Sequence, residues 1–431
     1  MASSSLQDAV FIDGCRTPFL RAGTAFAELT SHDLARTALK GLLTRTGLDP
    51  AIVGRIIMGC VIQNVRTSNV AREAALGAGF PSHVPAFTIT MACISSSQAI
   101  SSAIDLIRTG QTNIVVTGGT ESLSDIPIQL KKNLRNRIIG SRKAKSLPDY
   151  FDLITGLSPG DLIPEIPAIA EYSTGETMGE SADKLAAMFD VMREEQDEYA
   201  LRSHHAAAKA WDDGSLAAEV MPVSVPKDFK PITRDNVFRS DTSLEKLAAL
   251  PPVFVKPYGT ITAGNSSPLT DGASTALCMS REMAGKYGYE PRAVFREYEF
   301  VGRDPGEELL LGPAYAIPKI LHRANLTLDD VDVFELHEAF AGQVLAVLKA
   351  LESPTFALER LGLREPVGRI PMDKLNVLGG SLSLGHPFGA TGARLVTTAV
   401  NRLHRENGRF ALVAACAAGG LGHAMLIERE N

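Results

Sequence analysis

The chain has 431 residues, of which 45% are hydrophobic and 21% charged, and a formal net charge of -6. That length suggests two or three domain-sized units, with a core that needs no disulfide or metal staples. A net negative charge, one Trp and 6% aromatic residues argue against a nucleic-acid binder built on basic patches or stacking platforms.

From the N-terminus, polar Met1 to Gln7 leads into a strand-like run, Ala9 to Ile12. There is no charged segment followed by an apolar one, so no secretory signal is expected, and no apolar run approaches the ~20 residues of a membrane span. Asp33 to Arg45 has the periodicity of an amphipathic helix closed by Gly47, and Arg55 to Val61 is a strand. Ser97 to Arg108 is a helix closed by Gly110, and Asn113 to Val116 is a strand that ends at Gly118-Gly119. This alternation predicts α/β units with buried, mostly parallel strands.

The pattern then recurs. Ile320-Leu321, Arg323, Leu326 and Val331 repeat Leu42-Leu43, Arg45, Leu48 and Val53 at a spacing of 278 residues. Leu395 to Arg405 (helix), Gly408, Phe410 to Ala414 (strand) and Gly419-Gly420 echo the order from Ser97 to Gly119. Two echoes in one order predict two similar halves, residues 1–120 with 251–285 and residues 286–431. Between them, 121–250 differs in character, rich in charge and helix formers, and reads as an inserted, mostly helical subdomain. Within it, 131–145 carries Lys131, Lys132, Arg135, Arg137, Arg142, Lys143 and Lys145 and no acid, with Leu130, Leu134 and Ile138 on one helical face. Such a helix either lies on an anionic membrane, docks a partner or holds phosphates, or is a solvated helix packing one apolar stripe.

The cysteines Cys15, Cys60, Cys93, Cys278 and Cys416 are scattered and odd in number, which argues against a disulfide framework and a zinc site. A reducing, cytoplasm-like compartment is the default, with an organelle matrix as the alternative if a transit peptide has been removed.

Four segments carry chemistry. Thr88 to Ala99 runs from an apolar strand through Cys93 into a helix; a cysteine there is either a small buried hydrophobe or a nucleophile whose pKa the helix terminus lowers. Glu335-Leu336-His337-Glu338-Ala339-Phe340 ends a strand, its His-Glu pair either structural or catalytic. Asn376 to Gly392 is a glycine-rich segment that sets His386 before a helix, where it suits a general base for a thiol. Cys416 to His423 places a second cysteine where a strand breaks into a glycine turn. Neither glycine stretch has the lysine of a P-loop, and no G-x-G-x-x-G is present, so a nucleotide-binding module is disfavoured.

In this order, and over nearly the whole chain, these segments resemble the thiolase family. Phe11 to Phe19, Gly118-Gly119-Thr120-Glu121-Ser122 and Thr262 to Ser267 resemble further family motifs. His337-Glu338-Ala339-Phe340 replaces the commoner Asn-Glu-Ala-Phe and is similar to the β-subunit type of the fatty-acid oxidation trifunctional complex. The resemblance implies a duplicated, five-layered αβαβα fold and a 3-oxoacyl-CoA thiolase of fatty-acid β-oxidation. It implies Cys93 as nucleophile, His386 as its base, Cys416 as acid and base at the acetyl carbon, and His337 at the enolate oxyanion. It further implies backbone N–H groups of Cys93 and Ala418 as a second oxyanion hole, Ser267 on the pantetheine arm of coenzyme A and Met178 near the acyl tunnel. Glu338 is a candidate to orient His337. No metal or organic cofactor is implied, coenzyme A being a substrate. The implied partners are acyl-CoA and coenzyme A, a second copy or copies (homodimer or homotetramer) and a hydratase/dehydrogenase α-subunit, with peripheral membrane contact through Lys131 to Lys145. Two rivals share the fold: a carrier-protein synthase, which the second cysteine disfavours, and a non-enzymatic lipid-binding or scaffold subunit, which the complete set Cys93, His386 and Cys416 disfavours. A biosynthetic, acetoacetyl-CoA-forming thiolase is the alternative within the family.

Overall fold

A computed structural model describes residues 6–165, 170–226 and 229–430. The first half runs β1 (Ala9–Arg16), α1 (Ser31–Thr46), β2 (Arg55–Gly59), α2 (Val70–Ala78), β3 (Ala86–Ile89), α3 (Ser95–Arg108) and β4 (Ile114–Glu121). Helix α1 starts at Thr30 because its hydroxyl accepts the Asp33 N–H while the Asp33 carboxylate accepts the Thr30 N–H, and it ends at Gly47, whose φ of 64° favours a residue without Cβ. Gly118 and Gly119 do not end their strand as the sequence suggested; they lie inside β4. A Cβ on Gly119 would overlap the carbonyl oxygen of Gly389, so this glycine allows a second segment to approach.

Residues 126–169 form a compact unit of their own. The basic run is not one helix: α4 (Lys132–Gly140) stops at a 3-10 turn, and α5 (Leu147–Ile154) starts afresh at Ser146, capped by Asp149 with Pro148 in the first turn. The stretch 170–250, expected to belong to the same insertion, sits in the main unit. Its helices α6 (Met178–Met188) and α7 (Arg193–Asp212) bury Ala182, Leu185 and Tyr199 in the core of the second half.

The chain returns through β5 (Thr270–Ser280) and continues as β6 (Ala293–Gly302), α8 (Gly312–Ala324), β7 (Val333–Leu336), α9 (Ala341–Glu352), α10 (Ser381–Leu384), α11 (Thr391–Arg405), β8 (Phe410–Ala417) and β9 (Leu421–Arg429). The strands are ordered β3-β2-β4-β5-β1 in the first half and β7-β8-β9-β6 in the second, joined where β1 pairs with β6. A parallel bridge from Phe334 to Leu375 stands where β3 stands in the first half. In both halves the leading pairs are parallel and the return strands antiparallel. The halves are duplicates, and the 278-residue spacing maps β2 onto β7 within one residue. The Gly-Gly echo does not map: Gly118-Gly119 are in a strand, Gly419-Gly420 in the turn after β8.

Strand alternation sets the layers. Val115 of β4 and Val413 of β8 face inward, onto Ile100, Ile104 and Ile107 of α3 and Val396, Val400 and Leu403 of α11. Their neighbours face outward: Val116 with Leu39 and Leu42 of α1 and Ala74 of α2, and Leu412 with Ile317 of α8 and Val347 of α9. The result is αβαβα, with α3 and α11 buried between the two halves of the sheet.

Candidate active site

The N-termini of the two buried helices meet. The Ala393 N–H donates to Ser96 Oγ at 3.0 Å, and Gly392 packs on the Ser97 backbone with no room for a side chain. Cys93 precedes α3 and His386 precedes α11, so the duplication itself brings them together. His337 follows β7 and Cys416 lies near the end of β8, two parallel neighbours. Cys93 Sγ and one ring nitrogen each of His337 and His386 lie within 4.8 Å of one another, and the two imidazole centroids are 4.1 Å apart. Both Nε2 atoms are buried without a partner among the described residues. The backbone N–H groups of Ala418 and Cys93 point at the Cys93 thiol, and the charge on Cys93 acts on Cys416.

Two features hold Cys93 in place. Ala92 has φ 45°, a strained value for a residue with a Cβ, immediately before the cysteine. The Ser95 hydroxyl donates to the Ala92 carbonyl and accepts the Met91 N–H at 2.8 Å, closing the turn.

Electrostatics depart from the sequence expectation. Cys93 lies two residues before α3, and burial, with the charges of Glu121 and Glu171, pushes its thiol up to about 12; the hydrogen bonds from Ala418 and Cys93 N–H offset only part. Burial pushes the Cys416 thiol up as well, and a Cys93 thiolate, when formed, would push it further. Burial beside the Arg394 guanidinium lowers His386 to about 3, and burial with His386 and Arg394 holds His337 well below the ordinary imidazole value. All four directions favour neutral thiols and neutral imidazoles in the resting site over a thiolate–imidazolium pair.

The proton on His386 can be placed. The Thr391 hydroxyl donates its one proton to the Pro387 carbonyl at 3.0 Å, so it accepts from His386 Nδ1–H at 2.7 Å. That leaves the Nε2 lone pair facing the thiol, the arrangement of a general base.

Glu338 does not touch His337. It accepts from Tyr199 Oη (2.9 Å), Asn376 Nδ2 (2.7 Å), Ser203 Oγ (2.8 Å) and Leu382 N–H (3.2 Å), and so clamps the loops behind the site. The group on His337 Nδ1 is Ser381 Oγ, at 2.9 Å. Ser267 is partly buried and ties its segment to the His337 loop through its N–H on the Ala339 carbonyl (2.9 Å). Met178 packs on the hydrophobic cluster that includes Leu336 and Cys416.

Sequence reasoning assigned no role to Glu121, Glu171, Thr391, Ser381 or Arg394. The Glu121 carboxylate accepts the N–H groups of Val61, Ile62 and Gly389 at 3.0–3.1 Å, clasping the His386 loop to the first half; burial raises it to about 7. Glu171 accepts the Gly419 N–H at 2.9 Å and holds the turn that carries Ala418. The one available signal was an acid at the end of the apolar strand Ile114–Glu121.

Residues 9–282 match the family model of the thiolase N-terminal domain and residues 289–429 that of the thiolase C-terminal domain. The chain is 54% identical over 429 residues to the bovine (Bos taurus) mitochondrial trifunctional enzyme subunit beta, covering 99% of this chain and 90% of that protein. It is 51% identical to a probable 3-ketoacyl-CoA thiolase of Caenorhabditis elegans, covering 99% and 95%. The crystal structure of human mitochondrial 3-ketoacyl-CoA thiolase in complex with CoA superposes with a TM-score of 0.84 at 31% identity, covering 99% of each chain.

Proposed function

This chain belongs to the thiolase family, and we propose on that premise that it is an acyltransferase of fatty-acid β-oxidation, cleaving 3-oxoacyl-CoA with coenzyme A into acyl-CoA and acetyl-CoA. The observation that carries the chemistry is the convergence of Cys93, His337 and His386 within 4.8 Å.

The neutral site sets the order of events. As Cys93 Sγ attacks the 3-oxo carbon, its proton passes to the free Nε2 of His386. The alkoxide forms against the backbone N–H groups of Cys93 and Ala418, donors already aimed at the sulfur; each such donor is worth roughly 10²–10³ in rate. Collapse breaks the C2–C3 bond, leaving an acyl group on Cys93 and the enolate of acetyl-CoA. The enolate takes the Cys416 proton at its carbon while His386 and His337 face its oxygen. Acetyl-CoA leaves, the Cys416 thiolate deprotonates incoming coenzyme A, and that sulfur takes the acyl group from Cys93, which recovers its proton from His386. Nucleophile, acid and base are all side chains, so the reaction calls on no resident metal or organic cofactor. Ser267 contacts the pantetheine arm, and Met178 borders the acyl tunnel.

The names of the relatives extend the reading. "Subunit beta" of a trifunctional enzyme supports assembly with a hydratase/dehydrogenase α-subunit on top of a homodimer or homotetramer, and "mitochondrial" favours the organelle alternative over the cytoplasm. Among the described residues no helix is long and apolar enough to cross a membrane. The unit 126–169 exposes Ile138, Ile139, Leu147 and Phe151 beside its basic residues, which supports peripheral docking on an anionic membrane. Co-sedimentation with anionic vesicles that survives neutralising the seven basic residues counts against that docking.

The deciding experiment is coenzyme A-dependent cleavage of 3-oxoacyl-CoA of graded chain length by wild type and Cys93→Ala. Turnover of long chains, lost in the variant, supports the β-oxidation reading. Turnover confined to acetoacetyl-CoA favours the biosynthetic alternative. Absence of turnover in folded wild type, alone and with the α-subunit, contradicts both.

A further inference from the structure

Two buried imidazoles face Cys93 from 4.1 Å apart, and their chemistry depends on which nitrogen of each carries the proton. The Thr391 hydroxyl spends its proton on a carbonyl and leaves His386 as a base. The opposite wiring holds at His337. Ser381 Oγ accepts the Arg394 Nη2–H at 3.1 Å, and the remaining group in contact with that hydroxyl among the described residues is His337 Nδ1, at 2.9 Å. Nδ1 is the one acceptor in reach of the Ser381 proton among the described residues, so that proton is satisfied only when it points at Nδ1, and the one proton of the neutral ring then sits on Nε2.

Arg394 enforces this polarity. It is fully buried and can only donate, so it occupies a lone pair of Ser381 and never takes the hydroxyl proton, which stays available to the ring. Its charge faces Glu335, 3.5 Å from Nη1, and Glu335 is also held by Arg402 at 2.9 Å. Glu335 and His337 project from the same face of β7 and its extension, two residues apart, so the strand fixes the carboxylate and the imidazole at once. Arg394 also disfavours an imidazolium at His337, which would add a second cation to the pocket.

We infer that Ser381, directed by Arg394, is a positioning residue that locks His337 in its Nε2–H form, making His337 a direct hydrogen-bond donor to the enolate oxygen and preventing it from competing with His386 for the Cys93 proton. This rests on the thiolase reading. A site with two Nε2 lone pairs would hold two bases and no donor; a serine on one ring and a threonine on the other, with opposite hydroxyl polarity, divide the roles.

The test has two arms. In protein labelled with ¹⁵N-histidine, long-range proton–nitrogen spectra assigned with His337→Asn and His386→Asn report the tautomers directly. Wild type is expected to show His337 protonated at Nε2 and His386 at Nδ1, with His337 becoming a tautomer mixture in Ser381→Ala. A wild-type His337 protonated at Nδ1 overturns the inference. In the second arm, Ser381→Ala is expected to lower kcat roughly 10- to 100-fold, short of the 10²–10³ for deleting an oxyanion donor, with KM little changed and Ser381→Thr restoring the rate. Ser381→Ala should cost nothing further in a His337→Asn background; an equal loss in both backgrounds marks a merely structural role and overturns it. Wild type that cleaves no 3-oxoacyl-CoA refutes the enzymatic reading instead, and the nitrogen spectra then decide the tautomer by themselves.

Discussion

The protonation state of Cys93 is the most exposed consequence of the geometry. A cysteine beside a helix N-terminus and a histidine ordinarily suggests a stored thiolate. Here Cys93 is only partly buried, but its thiol is desolvated, its histidine is depressed to about 3, and Glu121 and Glu171 add negative charge, so the thiol is pushed up to about 12. At pH 8 that leaves roughly one molecule in 10⁴ ionised, against about one in four for an ordinary cysteine near 8.5. The ultraviolet thiolate absorbance of wild type minus Cys93→Ala, titrated from about pH 6 to 10, should stay flat, with Cys93 contributing no band below about pH 10. A difference band with its midpoint at or below about pH 8 would refute the reasoning, because it would mean that the helix terminus and the two N–H donors outweigh desolvation. A flat titration places proton transfer to His386 inside the attack step.

Three further outcomes follow. Thr391→Val removes the acceptor of His386 Nδ1–H and leaves a buried donor unpaired, a cost of about 1–3 kcal/mol; kcat should fall roughly 5- to 160-fold, whereas an unchanged rate would mean that His386 is oriented by something else. Cys416→Ala should still form the acyl-enzyme but lose exchange of the acetyl-CoA methyl protons with deuterated water, and retained exchange would remove Cys416 from its role. His423 is buried against Phe300, both ring nitrogens are unpaired among the described residues, and burial lowers it to about 3. Below about pH 6.5 the unfolded chain takes up a proton that folded His423 refuses, so wild-type stability rises with pH across this window; His423→Phe should remove about 2 kcal/mol of the loss between pH 6.5 and 5, and parallel denaturation curves for the two proteins at both pH values would contradict it.

Much of this was legible in the sequence. The 278-residue spacing reported a real duplication because β2 and β7 each follow a helix and a short turn of equal length. The positions before α3 and α11 were identifiable because strand, small residues and helix succeed one another there. Other features depend on contacts that no spacing encodes. The direction of the Cys93 shift is set by how completely the folded chain desolvates its thiol. Glu338 sits beside His337 in sequence, yet strand alternation turns it to the opposite side, and Ser381, 44 residues on, supplies the contact. The basic segment ends as a helix at Gly140 and passes through a 3-10 turn, and Ser146, Pro148 and Asp149 form a strong start signal for a separate helix just beyond the charged run. The stretch 170–250 joined the main unit because its apolar residues complete the core around α8 and α9.

The most direct test of the central claim is the covalent intermediate. Wild type mixed with a 3-oxoacyl-CoA in the absence of free coenzyme A should gain the mass of the acyl group, peptide mapping should place it on Cys93, and added coenzyme A should discharge it as acyl-CoA. A protein that turns over substrate with no adduct, or with the acyl group on Cys416 or another cysteine, would contradict the account.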